Sequence, residues 1–208
     1  MKKIMQWLLA VVSTVLVAAF LWVTYQQAND LVHYPLETRS PPKHSVYDFD
    51  LQVSEVVRTN QDGQQLHAYF SSTHNGAYVM LQHGFKADRS YMFEEAKMLQ
   101  DAGYGVLISS VRAHDLNDGD EISFGVREMD DLQTWYNYLI DEQGAHADKV
   151  GLLGNSMGAA MVIEYAAQNQ AIAAVVAVSP FSSLQDTINV SVEYFTGLPA
   201  FPFAPMIS

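Results

Sequence analysis

The sequence contains no cysteine, which excludes disulfide bonds, thiolate metal ligands and a cysteine nucleophile. Basic residues are also scarce: 11 Lys and Arg stand against 23 Asp and Glu, for a formal net charge of −12. Because nucleic-acid binding needs clustered positive charge, this balance argues against a nucleic-acid partner. There is no P-loop, and no G-x-G-x-x-G follows a predicted strand, so nucleotide chemistry has no support.

Metal ligands are not grouped in the sequence either. The seven histidines are scattered along the chain, and the acidic stretch His114–Asp120 (HDLNDGD) lacks the glutamate that completes a calcium-binding loop. We therefore expect no metal and no cofactor. For His114–Asp120 the composition indicates a solvent-exposed loop.

One long apolar run is present, Ile4–Tyr25, with 22 uncharged residues after Lys2 and Lys3. As a helix it would be about 33 Å long, enough for a hydrocarbon core of about 30 Å. We expect residues 1–25 to form a membrane anchor, residues 26–45 a polar linker and residues 46–208 a globular domain. The alternative is a cleaved signal peptide, although the run exceeds the usual apolar length of about 7–15 residues.

The lysines also predict an orientation for this segment. Both precede the apolar run, and the next basic residue is Arg39. The positive-inside rule therefore places the amino terminus in the cytoplasm and the globular part outside it, or secreted if the segment is cleaved.

Beyond residue 46 the apolar pattern alternates between strand and helix periods. Strands are predicted at 49–59, 65–72, 77–83, 104–110, 149–154 and 172–179, and helices at 90–103, 127–144 and 157–169. Ser90 is the expected N-cap of the first of these helices. A hairpin followed by strand–helix units predicts an α/β fold with a mostly parallel sheet and helices on both faces. Ligands bind at the carboxyl ends of such strands.

The segment VGLLGNSMGAAM, residues 150–161, places a serine between two glycines at a predicted strand-to-helix junction. A serine on such a sharp turn can be presented above the sheet as a nucleophile, here Ser156. Gly154 and Gly158 are needed because a Cβ at either would crowd the turn. The N–H of Met157 begins the next helix and is a candidate oxyanion donor.

A second segment, LQHGF, follows the first inner strand. Gly84 allows a close turn, and the N–H of Phe85 is the candidate second oxyanion donor. His83 stands at the strand end beside a glycine. We expect it to organise the loop and not to act as a base.

These two segments, with SSVRAHDLNDGD between them, resemble the α/β-hydrolase fold, and ISFGVREMDDLQTWYNYL resembles its membrane-anchored, Bem46-like branch of serine hydrolases. The resemblance covers about residues 49–183. It implies Ser156 as the nucleophile and Phe85 and Met157 as oxyanion donors. Arg112 and His114 match the usual Arg-x-His-Gly segment, with Asp115 in place of the glycine, and are expected to be structural.

A serine nucleophile needs a base, and in this fold the triad acid and histidine follow the serine. All seven histidines precede Ser156, and Asp186 is the possible acid. We therefore expect residues 46–208 to form a partial α/β-hydrolase domain, truncated from a longer chain and lacking the last two strands, the triad acid and the base. The alternative is a natural short protein, for which His114 is the one histidine considered as a base.

The expected function is hydrolysis of carboxylic esters or small amides, with a small-molecule substrate and the membrane as partners. Whether this chain itself is active stays open at this point, because the triad histidine that should follow Ser156 is absent from it. The alternative is a membrane-tethered, non-catalytic protein that binds a ligand or partner through the same cleft.

Overall fold

The computed structural model describes residues 2–196. Residues 33–182 form one compact unit around a sheet, and residues 2–32 and 183–196 belong to a second unit. The strands are β1 Ser54–Thr59, β2 Gln65–Phe70, β3 Tyr78–Gln82, β4 Gly105–Ser109, β5 Val150–Asn155 and β6 Ala174–Val178. The helices are α1 Lys2–Val32, α2 Phe93–Asp101, α3 Glu128–Asn137, α4 Met157–Gln168 and α5 Leu184–Thr196.

The six strands form one mixed sheet in the order β1-β2-β4-β3-β5-β6. β1 and β2 make an antiparallel hairpin, β2 runs antiparallel to β4, and the other four strands are parallel. In register, Gln82 lies opposite both Ser109 and Gly154. The ends of β3, β4, β5 and β6 therefore meet at one edge, called here the carboxyl edge, and their starts form the amino edge.

Helices cover both faces of the sheet, as predicted. Successive side chains of a strand point to opposite faces, so Met80 of β3 packs into the core with α3 and α4, and Leu81 into the core with α2. Because both faces are buried, the inner strands are continuous apolar runs without polar alternation. The predicted α/β class, with a mostly parallel sheet and helices on both faces, is confirmed.

Two helices differ in detail from the sequence prediction. A 3-10 turn, Arg89–Met92, precedes α2, and its cap is the side chain of Asp88, which accepts the Ser90 N–H at 2.7 Å. The prediction of Ser90 as the cap is therefore wrong. The Ser90 hydroxyl oxygen instead accepts the backbone N–H of His44 at 3.1 Å. α3 ends in a π-helical turn, Tyr138–Glu142.

In the second unit, α1 extends to Val32, past the predicted end of the apolar segment at Tyr25. Within residues 2–196 it is the one helix long and apolar enough to cross a membrane, with a mean hydropathy of 2.3 over its most apolar window. A signal sequence near the amino terminus meets the same criteria of length and composition, so the domain boundaries at residues 25 and 45 stay a prediction.

The segment after α1 is bound to the sheet unit. Tyr34 donates its N–H to the Asp120 carbonyl oxygen at 2.6 Å. The Arg39 guanidinium donates to the carbonyl oxygens of Tyr34, Asp115 and Asn117 at 2.6–3.2 Å. These bonds connect the segment to the loop after β4.

Candidate active site

Ser156 lies between β5 and α4 at the carboxyl edge, and its side chain is exposed. Its backbone has φ 55° and ψ −116°, a conformation that a residue with a Cβ rarely adopts. The Ser156 N–H donates to the Val178 carbonyl oxygen of β6 at 2.9 Å. Such strain persists only where the surrounding structure holds it. Here β6 and the start of α4 hold it.

The glycines on either side of the serine have no room for a side chain. A Cβ at Gly154 would lie 2.2 Å from the Gly158 carbonyl oxygen, and a Cβ at Gly158 would lie 2.4 Å from the Gln82 carbonyl oxygen. Both contacts are with backbone atoms, which cannot rotate away. The close approach of β5, α4 and the end of β3 therefore requires glycine at both positions.

Two backbone N–H groups are free beside the serine. A Cβ at Gly84 would lie 3.7 Å from Ser156 Oγ, so the loop after β3 passes next to the hydroxyl. Among residues 2–196, neither the N–H of Phe85 nor that of Met157 donates to an acceptor. Met157 also begins α4, where the helix dipole favours negative charge.

His83 is completely buried and has both ring nitrogens engaged. Its Nδ1 lies 2.9 Å from the Gly84 carbonyl oxygen, and its Nε2 accepts the Val111 N–H at 3.1 Å. Burial lowers the pKa of His83, which keeps the ring neutral. The expectation that His83 organises the loop is confirmed by these bonds.

His114, the one histidine considered as a base, is bound in the same way. Its Nδ1 lies 2.8 Å from the Arg112 carbonyl oxygen, and its Nε2 accepts the Lys86 N–H at 2.9 Å. Burial, and next the neighbouring His83, lower the pKa of His114 to about 3. The acceptor nitrogen that a general base needs is therefore already occupied.

Arg112 makes a buried ion pair. Its guanidinium donates two hydrogen bonds, of 2.7 and 2.8 Å, to the carboxylate of Asp131 in α3, and a third of 3.1 Å to Asp62. Asn60 donates to the same Asp131 carboxylate at 2.7 Å. This geometry agrees with the structural role expected for Arg112 and links the loop after β4 to α3.

The composition of His114–Asp120 predicts a solvent-exposed loop, and that prediction is wrong for three of its seven residues. His114, Asp115 and Asn117 are buried. The Asp115 carboxylate accepts from Arg89 Nε at 2.5 Å and from the Ser110 hydroxyl at 2.9 Å. One sequence signal was available: Asp115 stands where the Arg-x-His-Gly segment of the family has glycine. The backbone of Asp115 has φ 50°, a conformation that glycine adopts easily.

Asp186, the possible acid, lies in the first turn of α5 and is exposed. Its backbone N–H donates to Ser183 Oγ at 3.2 Å. α5 belongs to the second unit, so the assignment of Asp186 stays a prediction. In the part of the chain that the structure describes, no three His, Asp or Glu side chains cluster as metal ligands would.

Comparisons with known proteins agree with this fold. The serine aminopeptidase S33 family model matches residues 73–201, more than half of the chain. The esterase Pf2001 of Pyrococcus furiosus is similar in structure, with 27% identity, a TM-score of 0.71 and alignment over 77% of this chain. This chain spans 65% of that esterase. A search of curated protein sequences finds no match.

More distant structures share the fold alone. An α/β-hydrolase of Vibrio vulnificus is 23% identical with a TM-score of 0.57, covering 70% of this chain and 51% of its own. The α/β-hydrolase GrgF of a Penicillium species is 20% identical with a TM-score of 0.59, covering 71% and 53%. The family match, read with the sheet order and the serine turn, leads to one assignment. The chain belongs to the serine aminopeptidase S33 family and has the α/β-hydrolase fold.

Proposed function

We propose that the protein is a serine hydrolase in which Ser156 is the nucleophile. The observation that carries the proposal is the exposed serine with φ 55° beside the N–H groups of Phe85 and Met157, which donate to no acceptor among the described residues. Donors fixed in advance where negative charge develops are a major source of catalysis in acyl transfer. Here they are backbone groups, so the loop and helix geometry sets their positions.

The reaction would proceed through an acyl-enzyme. Ser156 Oγ attacks the substrate carbonyl carbon, and the carbonyl oxygen takes up negative charge between the N–H groups of Phe85 and Met157. The bond to the leaving alcohol or amine then breaks, and the proton that the Ser156 hydroxyl gives up on attack passes to the leaving group. Water hydrolyses the new ester bond, which releases the carboxylic acid and restores the serine.

The proposed substrates are carboxylic esters or small amides. The ester follows from the name of the similar Pyrococcus furiosus enzyme, an esterase, and the amide from the aminopeptidase family. Both carbonyl groups would place an oxyanion between the same two N–H donors. Asp186 remains the proposed acid.

A fluorophosphonate probe tests the nucleophile, because it phosphonylates activated serines. We expect labelling of the intact gene product and of its Ser72→Ala variant, a control at an exposed serine on the amino edge. Ser156→Ala should not be labelled. A wild-type chain that stays unlabelled, or a Ser156→Ala chain that labels equally, would contradict the proposal.

We further propose that α1 anchors the enzyme in a membrane, with the amino terminus in the cytoplasm, as in the Bem46-like branch. The length and apolar composition of α1 support this, as do Lys2 and Lys3 ahead of the apolar segment. Carbonate extraction should leave the chain in the membrane fraction, and protease added outside should digest residues beyond α1. Release of a chain without residues 2–25 would show signal-peptide cleavage instead.

A second candidate function is a membrane-tethered protein that binds a ligand without turning it over. It is favoured by one observation: His83 and His114, which lie next to the oxyanion loop, have all four ring nitrogens occupied. This function predicts that Ser156→Ala leaves the biological effect of the protein unchanged. Loss of that effect in Ser156→Ala alone would exclude it.

A further inference from the structure

Two histidines connect the loop that carries Phe85 to the loop after β4, and they do so reciprocally. His83 belongs to the first loop and accepts the N–H of Val111 in the second. His114 belongs to the second loop and accepts the N–H of Lys86 in the first. The two bonds stand on either side of Phe85, and the rings meet edge to face with centroids 5.2 Å apart.

The partners determine the tautomer of each ring. A carbonyl oxygen can only accept, so Nδ1 of His83 and Nδ1 of His114 carry the proton. A backbone N–H can only donate, so each Nε2 presents a lone pair. In each ring, Nδ1 therefore bonds to a carbonyl of its own loop, and Nε2 makes the connection across to the other loop.

The backbone around these bonds is strained in a way that needs such support. Lys86, Ala113 and Asp115 have φ of 51°, 56° and 50°, although none is glycine. Lys86 directly follows Phe85, so the peptide that carries the Lys86 N–H is next to the one that carries the Phe85 N–H, and a shift of the loop at Lys86 would displace both. Conformations of this kind cost free energy and persist where neighbouring contacts hold them.

We propose that His83 and His114 are positioning residues for the oxyanion hole: their Nε2 atoms hold the Phe85 N–H in the place where it meets the substrate oxyanion. This rests on the proposed hydrolase function, because the oxyanion exists only in that reaction. Neither ring touches the substrate. Their role is to keep the loop from relaxing when charge develops on the carbonyl oxygen.

Substituting each histidine by glutamine or asparagine tests the two hydrogen bonds of its ring separately. Glutamine can place its Oε1 near the position of Nε2 and accept the cross-loop N–H, whereas asparagine reaches only the position of Nδ1. His114→Gln should therefore keep the bond to Lys86, and His114→Asn should lose it while keeping the bond to Arg112. His83→Gln and His83→Asn form the same matched pair for Val111.

The first measurement is the hydrolysis of p-nitrophenyl butyrate by the full-length chain in detergent. Removing an oxyanion donor costs about 10²–10³ in kcat, so a donor that is present but loosely held should cost about tenfold to a hundredfold. We expect this loss in kcat for both Asn variants, with little change in KM, because the contact is made in the transition state. The Gln variants should recover most of the rate at a similar melting temperature.

Hydrogen exchange tests the connection independently of activity. A net hydrogen bond of about 0.5–1.5 kcal/mol corresponds to about two- to tenfold faster exchange when the acceptor is lost. We expect this for the Lys86 amide in His114→Asn and for the Val111 amide in His83→Asn, but not in the Gln variants.

The two measurements separate the possible failures. If wild type neither hydrolyses the ester nor labels with fluorophosphonate, the proposed function fails and with it the catalytic role of the two rings, whereas exchange still shows whether they hold the loop. If wild type is active, equal kcat in the Asn and Gln variants, or a loss confined to KM, overturns the positioning role. Equal exchange of Lys86 in His114→Asn and His114→Gln overturns the connection itself.

Discussion

The two edges of the sheet differ in whether their ionisable side chains are buried or exposed. The loops at the carboxyl edge bury ionisable groups, each with a hydrogen-bonded partner: His83, Arg89, Arg112, His114 and Asp115. At the amino edge the ionisable side chains, such as His74, His146 and Asp101 at the end of α2, are exposed. Burying a polar group costs free energy unless it is fully hydrogen-bonded, and a fully bonded network rigidifies the backbone that carries it. The rigid edge is the one that holds Ser156.

Glycine substitutions should give the largest difference in stability between the two edges. In Gly154→Ala the new Cβ would overlap the Gly158 carbonyl group, so we expect the free energy of unfolding to fall by more than about 4 kcal/mol, or folding to fail. The matched change at the amino edge is Gly76→Ala, where φ is 85° and no atom lies within 4 Å. There only backbone strain of about 1–2 kcal/mol is expected.

Urea unfolding of the two variants in detergent measures the difference. Similar losses in Gly154→Ala and Gly76→Ala would mean that the turn around the serine can relax, and that its close packing is not required for the fold.

Removing a carboxylate should give the next largest difference. Asp131→Ala leaves Arg112, only 2% exposed, without its main partner, and breaking a buried pair costs about 3–5 kcal/mol. Asp101→Ala removes the partner of Lys97 at the end of α2, where both side chains are exposed by 30% or more. That change should stay within about 0.5 kcal/mol. Equal midpoints of thermal unfolding in Asp131→Ala and Asp101→Ala would show that burial does not make the first ion pair more important for stability.

The smallest of the three effects is a dependence of stability on pH. Unfolded histidine binds a proton near pH 6.5, whereas the pKa of folded His114 is lowered to about 3. Between these values the unfolded state binds more protons, so stability falls as the pH falls. At about 1.4 kcal/mol per pH unit, His114 should account for about 2 kcal/mol between pH 6.5 and pH 5.

Urea unfolding at pH 7 and pH 5 measures this loss in wild type and in His114→Gln. We expect the variant to lose about 2 kcal/mol less than wild type over that interval. The same loss in both proteins would show that His114 does not remain neutral in the folded state.

Most of the sheet could be predicted from the sequence because its strands and helices are periodic in apolar residues. Every predicted strand of the sheet is present, with ends that differ by up to five residues, as at β1. The local caps were less predictable. Asp88 and Ser90 are both good capping residues, and only the path of the chain before α2 determines which of them accepts the N–H.

The sequence by itself determined an α/β fold and the position of the serine turn, because local periodicity encodes the first and the spacing of glycines the second. The resemblance of its segments to the α/β-hydrolases identified which α/β fold it is. The sequence also marked the apolar segment Ile4–Tyr25 within α1. Only the tertiary structure decided what the polar residues between β4 and α3 do. From the sequence alone, His114 and Asp115 are predicted to be solvated. They are buried because Lys86 and Arg89, from distant segments, satisfy their hydrogen bonds. Such pairings depend on how the loops after β3 and β4 are brought side by side, with Lys86 and His114 28 positions apart in the chain, and no local pattern records this.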